Sequence, residues 1–243
     1  MKQIGSLLVF PSAEAVTRAA ADRFASVAAE SIAARGRFSV VLSGGSTPRG
    51  TYRRLANDPY ARQIDWAKTF IFFGDERSVP PDHPDSNFRM ANEALLSRVP
   101  IPPGNIKRMA GEGDPNASAA AYEADLRAWF GRADWPRLDL VFLGMGDDGH
   151  TASLFPGSAA LQETARWVVA NWVEKFHTFR ITLTLPAINH AARVLFLVTG
   201  AGKTERLAQV LNDEPSDAPL PSQLIQPLEG TVEWLVDEAA APK

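Results

Sequence analysis

The sequence predicts an α/β fold: a mostly parallel, Rossmann-like sheet with helices on both faces, together with a small additional subdomain. Short apolar runs such as Phe38–Leu42 are typical of strands that are buried on both faces. They alternate along the chain with longer stretches of helical apolar spacing, a pattern that favours a parallel sheet covered by helices. Four of these apolar runs are each followed by a polar loop that contains glycine.

The order of the elements follows from capping residues and apolar periodicity. A long Ala-rich helix should begin after Ser12 and end at Gly36, because Ser is a favoured N-cap and Gly a favoured C-cap. Strands are expected at residues 7–10, 38–42, 69–73, 138–143 and 194–199. Helices are expected at residues 12–36, at 87–98 behind the Ser86 cap, at 115–130 behind the Asp114 cap, at 203–211 and at 231–239. The alternating runs 168–173 and 179–185 indicate a small subdomain or an antiparallel edge.

Length and composition limit the class of protein. The 243 residues are enough for a single domain with a small appendage, so we expect one α/β domain over residues 1–243, with a subdomain around residues 160–190. The hydrophobic content of 45% is that of a globular protein with a sizeable core. Lys and Arg number 25 against 28 Asp and Glu, and this net charge of −3 argues against nucleic acid as a partner.

The chain contains no cysteine, which excludes disulfides, thiol nucleophiles and thiolate zinc sites, and which fits a reducing compartment. The apolar run at residues 7–10 is too short for a secretory signal, and no run approaches the ~20 residues that cross a bilayer. We therefore expect a cytoplasmic protein that neither binds a membrane nor depends on an obligate protein partner.

The four polar loops predict a single ligand site. They are residues 43–47 (Ser-Gly-Gly-Ser-Thr), 74–77 (Gly-Asp-Glu-Arg), 144–150, which ends in His150, and 200–203 (Gly-Ala-Gly-Lys). In open α/β sheets, ligands bind outside the carboxyl ends of the strands, and each of these loops follows a predicted buried strand. All four should therefore meet at one edge of the sheet.

The loop at residues 43–47 has the composition of an anion site. Its small residues let backbone N–H groups approach a phosphate, its hydroxyls add donors, and a helix that opens at Pro48 would contribute partial positive charge. The alternative is a tight turn with a helix cap. The loop is not the nucleophile elbow of serine hydrolases, because Pro48 stands where that motif requires its second glycine.

Two nucleotide motifs are matched only in part. Residues 144–149 spell a dinucleotide fingerprint, but Asp147 and Asp148 would repel a pyrophosphate. Gly202, Lys203 and Thr204 resemble the end of a P-loop, but Leu197 stands where its first glycine is required. We therefore predict no nucleotide and no other cofactor. Lys203 is either a single phosphate contact at a helix N-terminus or a solvated surface lysine.

The candidate base is His150. The four histidines, at positions 83, 150, 177 and 190, have no metal-ligand spacing, so we predict no metal. His150 ends a glycine-rich loop two residues after Asp148, and a nearby carboxylate can fix its tautomer and stabilise the imidazolium. The alternative is a structural histidine. The charged cluster at residues 75–77 ends another buried strand, where the alternative is a surface ion pair.

Taken together, the motifs resemble the 6-phosphogluconolactonase family in order and spacing. The matching segments are residues 43–48, 74–77, 83–87, 144–156, 180–186 and 200–203, and the resemblance runs from about residue 10 to residue 235. The most specific of them is Gly-His-Thr-Ala-Ser-Leu-Phe-Pro at residues 149–156. The resemblance implies a fold shared with glucosamine-6-phosphate deaminases and ribose-5-phosphate isomerases.

The resemblance also implies a substrate and a division of roles. The substrate would be a small-molecule sugar-phosphate lactone, 6-phospho-D-glucono-1,5-lactone, hydrolysed in the second step of the oxidative pentose phosphate pathway. His150 would deprotonate the attacking water and Asp148 would orient it, while Arg77, with Asp75 beside it, would stabilise charge on the lactone carbonyl. The phosphate would be held by Gly44, Gly45, Ser46, Thr47, Arg180 and Lys203.

Two other functions are weighed against this one. An isomerase or deaminase of amino-sugar phosphates resembles the chain in the first glycine loop and the Asp-Glu pair. Those relatives carry a carboxylate shortly after the histidine, whereas no acid lies between His150 and Glu163, and they carry Tyr where this chain has Arg77. A sugar-phosphate-sensing module would bind without turnover, but such regulators usually carry a DNA-binding segment, and the sequence shows none.

Overall fold

The computed structural model describes residues 5–131, 133–212 and 218–242. Its strands are β1 (Ser6–Phe10), β2 (Phe38–Leu42), β3 (Thr69–Phe73), β4 (Asp75–Arg77), β5 (Leu140–Leu143), β6 (Val168–Val173), β7 (Thr178–Leu183), β8 (Arg193–Val198) and β9 (Thr231–Asp237). Its helices are α1 (Ala13–Arg35), α2 (Ser46–Leu55), α3 (Tyr60–Gln63), α4 (Asn87–Ala94), α5 (Pro115–Phe130), α6 (Leu185–Asn189) and α7 (Thr204–Leu211).

Six of these strands form one sheet in the order β1-β9-β8-β5-β2-β3, and every neighbouring pair is parallel. All five residues of β2 and all four of β5 are buried, as their apolar runs predict. The carboxyl ends of β2, β3, β5 and β8 therefore lie along one edge, where the four predicted loops begin. The predicted α/β class is confirmed.

Helices cover both faces of this sheet. The strand register points Phe72 and Phe142 to opposite faces. The ring of Phe142 lies 6.2 Å from that of Phe24 in α1, and the ring of Phe72 lies 5.3 Å from that of Trp129 in α5. Helices α1 and α5 thus pack on opposite sides, and the aromatic side chains between them and the sheet form much of the core.

The two longest helices begin and end where their capping residues predict. The Ser12 hydroxyl accepts a hydrogen bond from Ala15 N at 3.2 Å, and Gly36 ends α1 in the left-handed conformation at φ 74°. Asp114 accepts a hydrogen bond from Ala117 N at 2.8 Å, which fixes the start of α5 at Pro115. Such caps are local interactions, so they can be predicted from the sequence alone.

A second sheet is antiparallel and has the order β4-β7-β6. Strands β6 and β7 are the two alternating runs of the sequence, and this sheet is the additional subdomain rather than an edge of the main sheet. Its third strand, β4, lies in the polar segment predicted to be a loop. Only Gly74 separates β3 from β4, so the chain passes at that point from one sheet into the other.

Several predicted boundaries shift, and one predicted element is wrong. Residues 231–239 were expected to be helical, but Thr231–Asp237 forms β9 between β1 and β8. Trp234 stacks on Phe196 of β8 with ring centroids 3.8 Å apart, so pairing with neighbouring strands overrides the local preference. The helix expected at 87–98 ends at Ala94 and continues as a 3₁₀ turn, and the strand expected at 179–185 ends at Leu183, because Thr184 caps α6. None of the helices in the described ranges is long and apolar enough to cross a membrane.

Candidate active site

A cleft of about 230 Å³ lies at the carboxyl edge of the main sheet, where the four loops meet. Of the residues predicted for the site, Gly44, Gly45, Ser46, Thr47, Asp75, Arg77, His150 and Lys203 line it. Asp148 and Arg180 lie one contact further out, against His150 and Arg77 respectively. The expectation that these loops converge on one edge therefore agrees with the structure.

A larger groove of about 720 Å³ lies at the opposite edge, near the starts of β2 and β8. Its charged side chains are engaged with one another: Arg35 pairs with Asp139, and Arg193 pairs with Glu30 at 2.7 Å. Asp139 also accepts hydrogen bonds from the Ser39 amide and hydroxyl. These contacts satisfy the groups of the groove internally, so we place the candidate active site in the smaller cleft.

The first glycine loop presents the N-terminus of α2 to the cleft. Gly45 is the N-cap of α2, with φ 106°, and has no side chain that could occupy the first amides of the helix. The Tyr52 hydroxyl fixes the loop by accepting from Ser43 N and donating to Ser43 O, both at 2.9 Å. Thr47 Oγ1 lies 2.7 Å from Thr199 Oγ1. Free amides at the positive end of a helix favour an anion such as phosphate.

His150 and Asp148 form a hydrogen-bonded pair. His150 Nδ1 lies 2.5 Å from Asp148 Oδ1, and the same oxygen accepts from His150 N at 3.2 Å. Burial alone would raise the pKa of Asp148, but the hydrogen bond and charge of His150, with a smaller effect of Lys175, hold this pKa below its ordinary value. An ionised Asp148 requires the proton on Nδ1, which leaves the Nε2 lone pair available as a base.

The ring of His150 is held by its neighbours on two sides. It stacks on Phe155 with ring centroids 4.2 Å apart. On another side it packs so closely against Gly146 that a Cβ there would lie 2.0 Å from His150 Nδ1. The orientation of the imidazole therefore depends on the absence of a side chain at Gly146. This close packing, rather than dinucleotide binding, explains that glycine of the fingerprint-like run 144–149.

Asp75 links three parts of the site. Its side chain is buried; Oδ2 accepts from Ser153 Oγ at 2.6 Å in the loop after His150, and Oδ1 accepts from Asn87 Nδ2 at 3.1 Å at the start of α4. Both carboxylate oxygens are thus occupied by protein donors. The arrangement joins β4, the histidine loop and α4.

Glu76 is buried at the N-terminus of α4, where it accepts hydrogen bonds from the amides of Arg77, Asn87 and Phe88 and from the Ser86 hydroxyl, at 2.7–3.0 Å. Burial raises the pKa of Glu76, and these hydrogen bonds oppose the increase. The alternative of a surface ion pair for residues 75–77 is wrong, because Asp75 and Glu76 are both buried and their carboxylate oxygens accept hydrogen bonds from groups other than the Arg77 guanidinium.

Arg77 and Arg180 lie directly opposite each other on β4 and β7. Burial, and secondarily the charge of Arg77, lower the pKa of Arg180. Arg77 Nη1 donates to Asp85 O at 2.5 Å, and the guanidinium of Arg180 lies 5.2 Å from the centre of the Phe176 ring. A cation on the wall of the cleft, with a second cation directly behind it, makes the local potential favourable for an anion.

Lys203 reaches the cleft from the turn after β8. Gly200 begins this turn at φ 94°, and its amide donates to Asp237 Oδ1 at 2.9 Å. Lys203 Nζ lies 2.5 Å from Asp147 Oδ1, and this hydrogen bond holds the pKa of Asp147 below its ordinary value. The lysine is therefore held at the cleft by an ion pair with a carboxylate of the histidine loop, and its contact with a phosphate stays a prediction.

Buried polar atoms without a partner concentrate at this cleft. Among the described residues they are Ser43 Oγ, Arg77 Nε, Asn87 Oδ1 and Arg180 Nε. Ser43, Arg77 and Asn87 line the cleft, and Arg180 adjoins Arg77. Since buried polar groups are nearly always hydrogen-bonded, this concentration indicates a binding site for a polar ligand.

Three further polar residues of the cleft, Ser43, Asn87 and Thr199, are not among the side chains predicted for the site. Ser43 opens the loop predicted to bind an anion, and Asn87 ends the family-like segment 83–87, so both positions carried a usable signal. Thr199 was predicted to be the last residue of a strand, but β8 ends one residue before it. No group of three or more His, Cys, Asp or Glu residues that could hold a metal is found within residues 5–131, 133–212 and 218–242.

The fold and the cleft define a class: α/β proteins that present a histidine, a helix N-terminus and several cations at the carboxyl edge of a parallel sheet. The family model described as Glucosamine-6-phosphate isomerases/6-phosphogluconolactonase matches residues 11–234, and the chain belongs to this family.

Individual relatives agree with this membership. A protein of Nostoc sp. named 6-phosphogluconolactonase is 47% identical over 209 residues, covering 85% of this chain and 84% of its own. The structure titled 6-phosphogluconolactonase from Trypanosoma cruzi has a TM-score of 0.88 at 30% identity, covering 99% of this chain and 97% of that one. A monomeric glucosamine-6-phosphate deaminase shares the fold, with a TM-score of 0.79 at 23% identity over 97% of this chain and 98% of its own.

Proposed function

We propose that this protein hydrolyses 6-phospho-D-glucono-1,5-lactone to 6-phospho-D-gluconate, in the cytoplasm, with a water activated by His150. The observation that carries the proposal is the His150–Asp148 pair on the wall of a cleft whose other groups suit an anion. The naming of the Nostoc and Trypanosoma relatives supports the choice of substrate.

The histidine pair supplies a general base. His150 Nε2 takes a proton from water as the water oxygen bonds to C1 of the lactone, and Asp148 stabilises the resulting imidazolium. The C1–O5 bond then breaks, the imidazolium returns its proton to the ring oxygen, and the new carboxylic acid releases a proton to solvent. A positioned base of this kind contributes typically ~10²–10⁴-fold to the rate.

Arg77 is the group proposed to stabilise the carbonyl oxygen, where negative charge grows in the tetrahedral transition state. Its guanidinium lines the cleft, and its Nε has no acceptor within the described part of the chain. We assign Asp75 a positioning role, because Ser153 and Asn87 occupy both of its oxygens. It keeps the loop that carries His150 aligned with β4.

The phosphate is proposed to lie against the N-terminus of α2, beside Gly44, Gly45, Ser46 and Thr47. Lys203 on the cleft wall, and Arg180 behind Arg77, are proposed to supply the positive charge. Binding this remote group orients the lactone and lowers the entropic part of the barrier. We propose no metal and no cofactor, since a lactone is already electrophilic and a base with a charge-stabilising cation is sufficient for its hydrolysis.

The main competing activity is isomerisation or deamination of an amino-sugar phosphate. It needs a second free proton-transfer group beside the histidine. Of the nearby carboxylates, Asp75 accepts a hydrogen bond on each oxygen, from Asn87 and Ser153, and Glu76 is buried against the start of α4. The lactonase is therefore the reaction that the free groups of the cleft serve best.

The deciding assay is proton release from freshly generated 6-phosphogluconolactone, corrected for spontaneous hydrolysis. Wild-type protein should accelerate it and His150→Ala should lose most of the acceleration. His177→Asn is a matched control, because His177 is an exposed histidine whose left-handed φ of 47° asparagine tolerates. No acceleration by the wild type, or equal loss in the control, would count against the proposal.

A further inference from the structure

Asn87 is a buried polar residue of the cleft whose side-chain oxygen has no role in the proposed mechanism. It is the first residue of α4 and is 1% exposed. Its backbone N–H donates to Glu76 Oε1 at 2.7 Å, and this hydrogen bond fixes the backbone from which the side chain extends. The residue is therefore held in place before any ligand binds.

The orientation of the Asn87 amide group is determined by its partners. Nδ2 donates to the Asp75 carbonyl oxygen at 2.9 Å and to Asp75 Oδ1 at 3.1 Å. A flipped amide would place its oxygen against these two acceptors, which is unfavourable. The Nδ2 group therefore faces Asp75, and Oδ1 faces the other way, toward Gly44: a Cβ on Gly44 would lie 2.1 Å from it.

Asn87 Oδ1 is buried and accepts no hydrogen bond from any residue that the structure describes. A buried acceptor without a donor is unfavourable, so this oxygen is suited to a donor that arrives with a ligand. The amide oxygen can only accept. A phosphate dianion and a lactone carbonyl cannot donate, which leaves the ring hydroxyls as the groups of a sugar-phosphate lactone that fit this position.

We propose that Asn87 is a specificity-determining residue whose Oδ1 accepts a hydrogen bond from one ring hydroxyl of the bound sugar lactone. This inference rests on the proposed lactone hydrolysis and adds the recognition of the sugar to it. A site built to hydrogen-bond a substrate hydroxyl discriminates strongly against the analogue that lacks it, because its buried polar group is then left unpaired. Asn87 accordingly favours a phosphorylated lactone that carries this ring hydroxyl over an otherwise similar lactone that lacks it.

The test measures kcat/KM for 6-phosphogluconolactone and for its 2-deoxy, 3-deoxy and 4-deoxy analogues. Wild-type protein should be slower on one analogue by about tenfold or more. Asn87→Ala and Asn87→Leu should be slower on the parent lactone and should treat that analogue and the parent within about twofold of each other. Asn92→Ala, on the same helix but outside the cleft, should keep the wild-type pattern.

A purely structural role for Asn87 gives a different result. Loss of its support of Asp75 would lower kcat/KM by the same factor on every substrate and leave the discrimination intact, and that outcome would overturn the inference. If both Asn87 variants fail to fold, the wild-type panel can still overturn the inference, since a wild type that treats all three analogues like the parent has no hydroxyl-reading acceptor. A wild type that opens none of the lactones refutes the proposed function itself.

Discussion

Gly146→Ala should inactivate the protein while leaving it folded. Gly146 has no positive φ, so alanine fits its backbone, but the new Cβ would lie 2.0 Å from His150 Nδ1 and 2.9 Å from Asp148 Oδ1. Ordinary van der Waals contact requires 3.4 Å or more, so the imidazole must move by roughly 1 Å or more. Displacement of a catalytic group by about 1 Å typically costs ~10²-fold in rate.

The measurement is kcat/KM for lactone hydrolysis, with thermal unfolding and 6-phosphogluconate binding followed in parallel. We expect a fall of about 10²-fold with product binding nearly unchanged, since the substitution leaves residues 43–47, which are proposed to bind the phosphate, unaltered. Gly104→Ala is the control, because a Cβ at Gly104 meets nothing within 4 Å and Gly104 lies outside the cleft. If Gly146→Ala keeps more than about a tenth of wild-type activity, or if Gly104→Ala loses as much, the imidazole position is not what limits the rate.

Four further predictions follow from the site. Arg180→Ala and Lys203→Ala should each raise KM by tens of fold, since charge-assisted bonds to a phosphate are worth ~1.5–3 kcal/mol. Arg193→Ala, at the other end of the sheet, should leave KM unchanged. A normal KM in both Arg180→Ala and Lys203→Ala would place the phosphate elsewhere. EDTA should leave activity unchanged and no metal should co-purify; loss restored by one divalent ion would show a metal-activated water. In ¹⁸O-water the product carboxylate should gain one solvent oxygen. In heavy water the sugar should gain no deuterium at C2, and glucosamine 6-phosphate should release no ammonia. Enzyme-dependent exchange at C2 would favour the isomerase. The pKa of Asp148 in the folded protein is below its ordinary value, so this carboxylate stabilises the fold above pH ~4 and the stabilisation is lost as the pH falls further. Asp148→Asn should therefore lose less Tm on acidification than the wild type does.

The sequence was most informative about the fold where the determining interactions are local. Ser12, Gly36 and Asp114 set helix ends through contacts within a few residues, and these ends agree with the structure. Strand β9 was misread because its identity depends on pairing with β1 and β8, which lie far away along the chain. Strand β4 was missed for the same reason: three polar residues become a strand only because β7 lies beside them.

The candidate site also has features that the sequence predicts and features that only the packed structure shows. The four loops could be placed together because the ends of parallel strands share an edge, a rule that needs no side-chain detail. Asn87 could not be found by that route, since its interest lies in an amide oxygen that is buried and unpaired. Burial and pairing are properties of the packed structure. Composition and spacing do not report them.

The facing arginines of the small sheet have a consequence for stability. Like charges directly opposite each other on an antiparallel pair are destabilising, and Arg77 and Arg180 occupy such a position, with Asp75 and Glu76 close enough to offset part of the repulsion. A bound anion would remove that repulsion, and a ligand that binds only the folded state stabilises it. Resistance to unfolding in this protein should therefore rise with the supply of phosphorylated sugar, and the empty protein would be the form most exposed to unfolding and degradation.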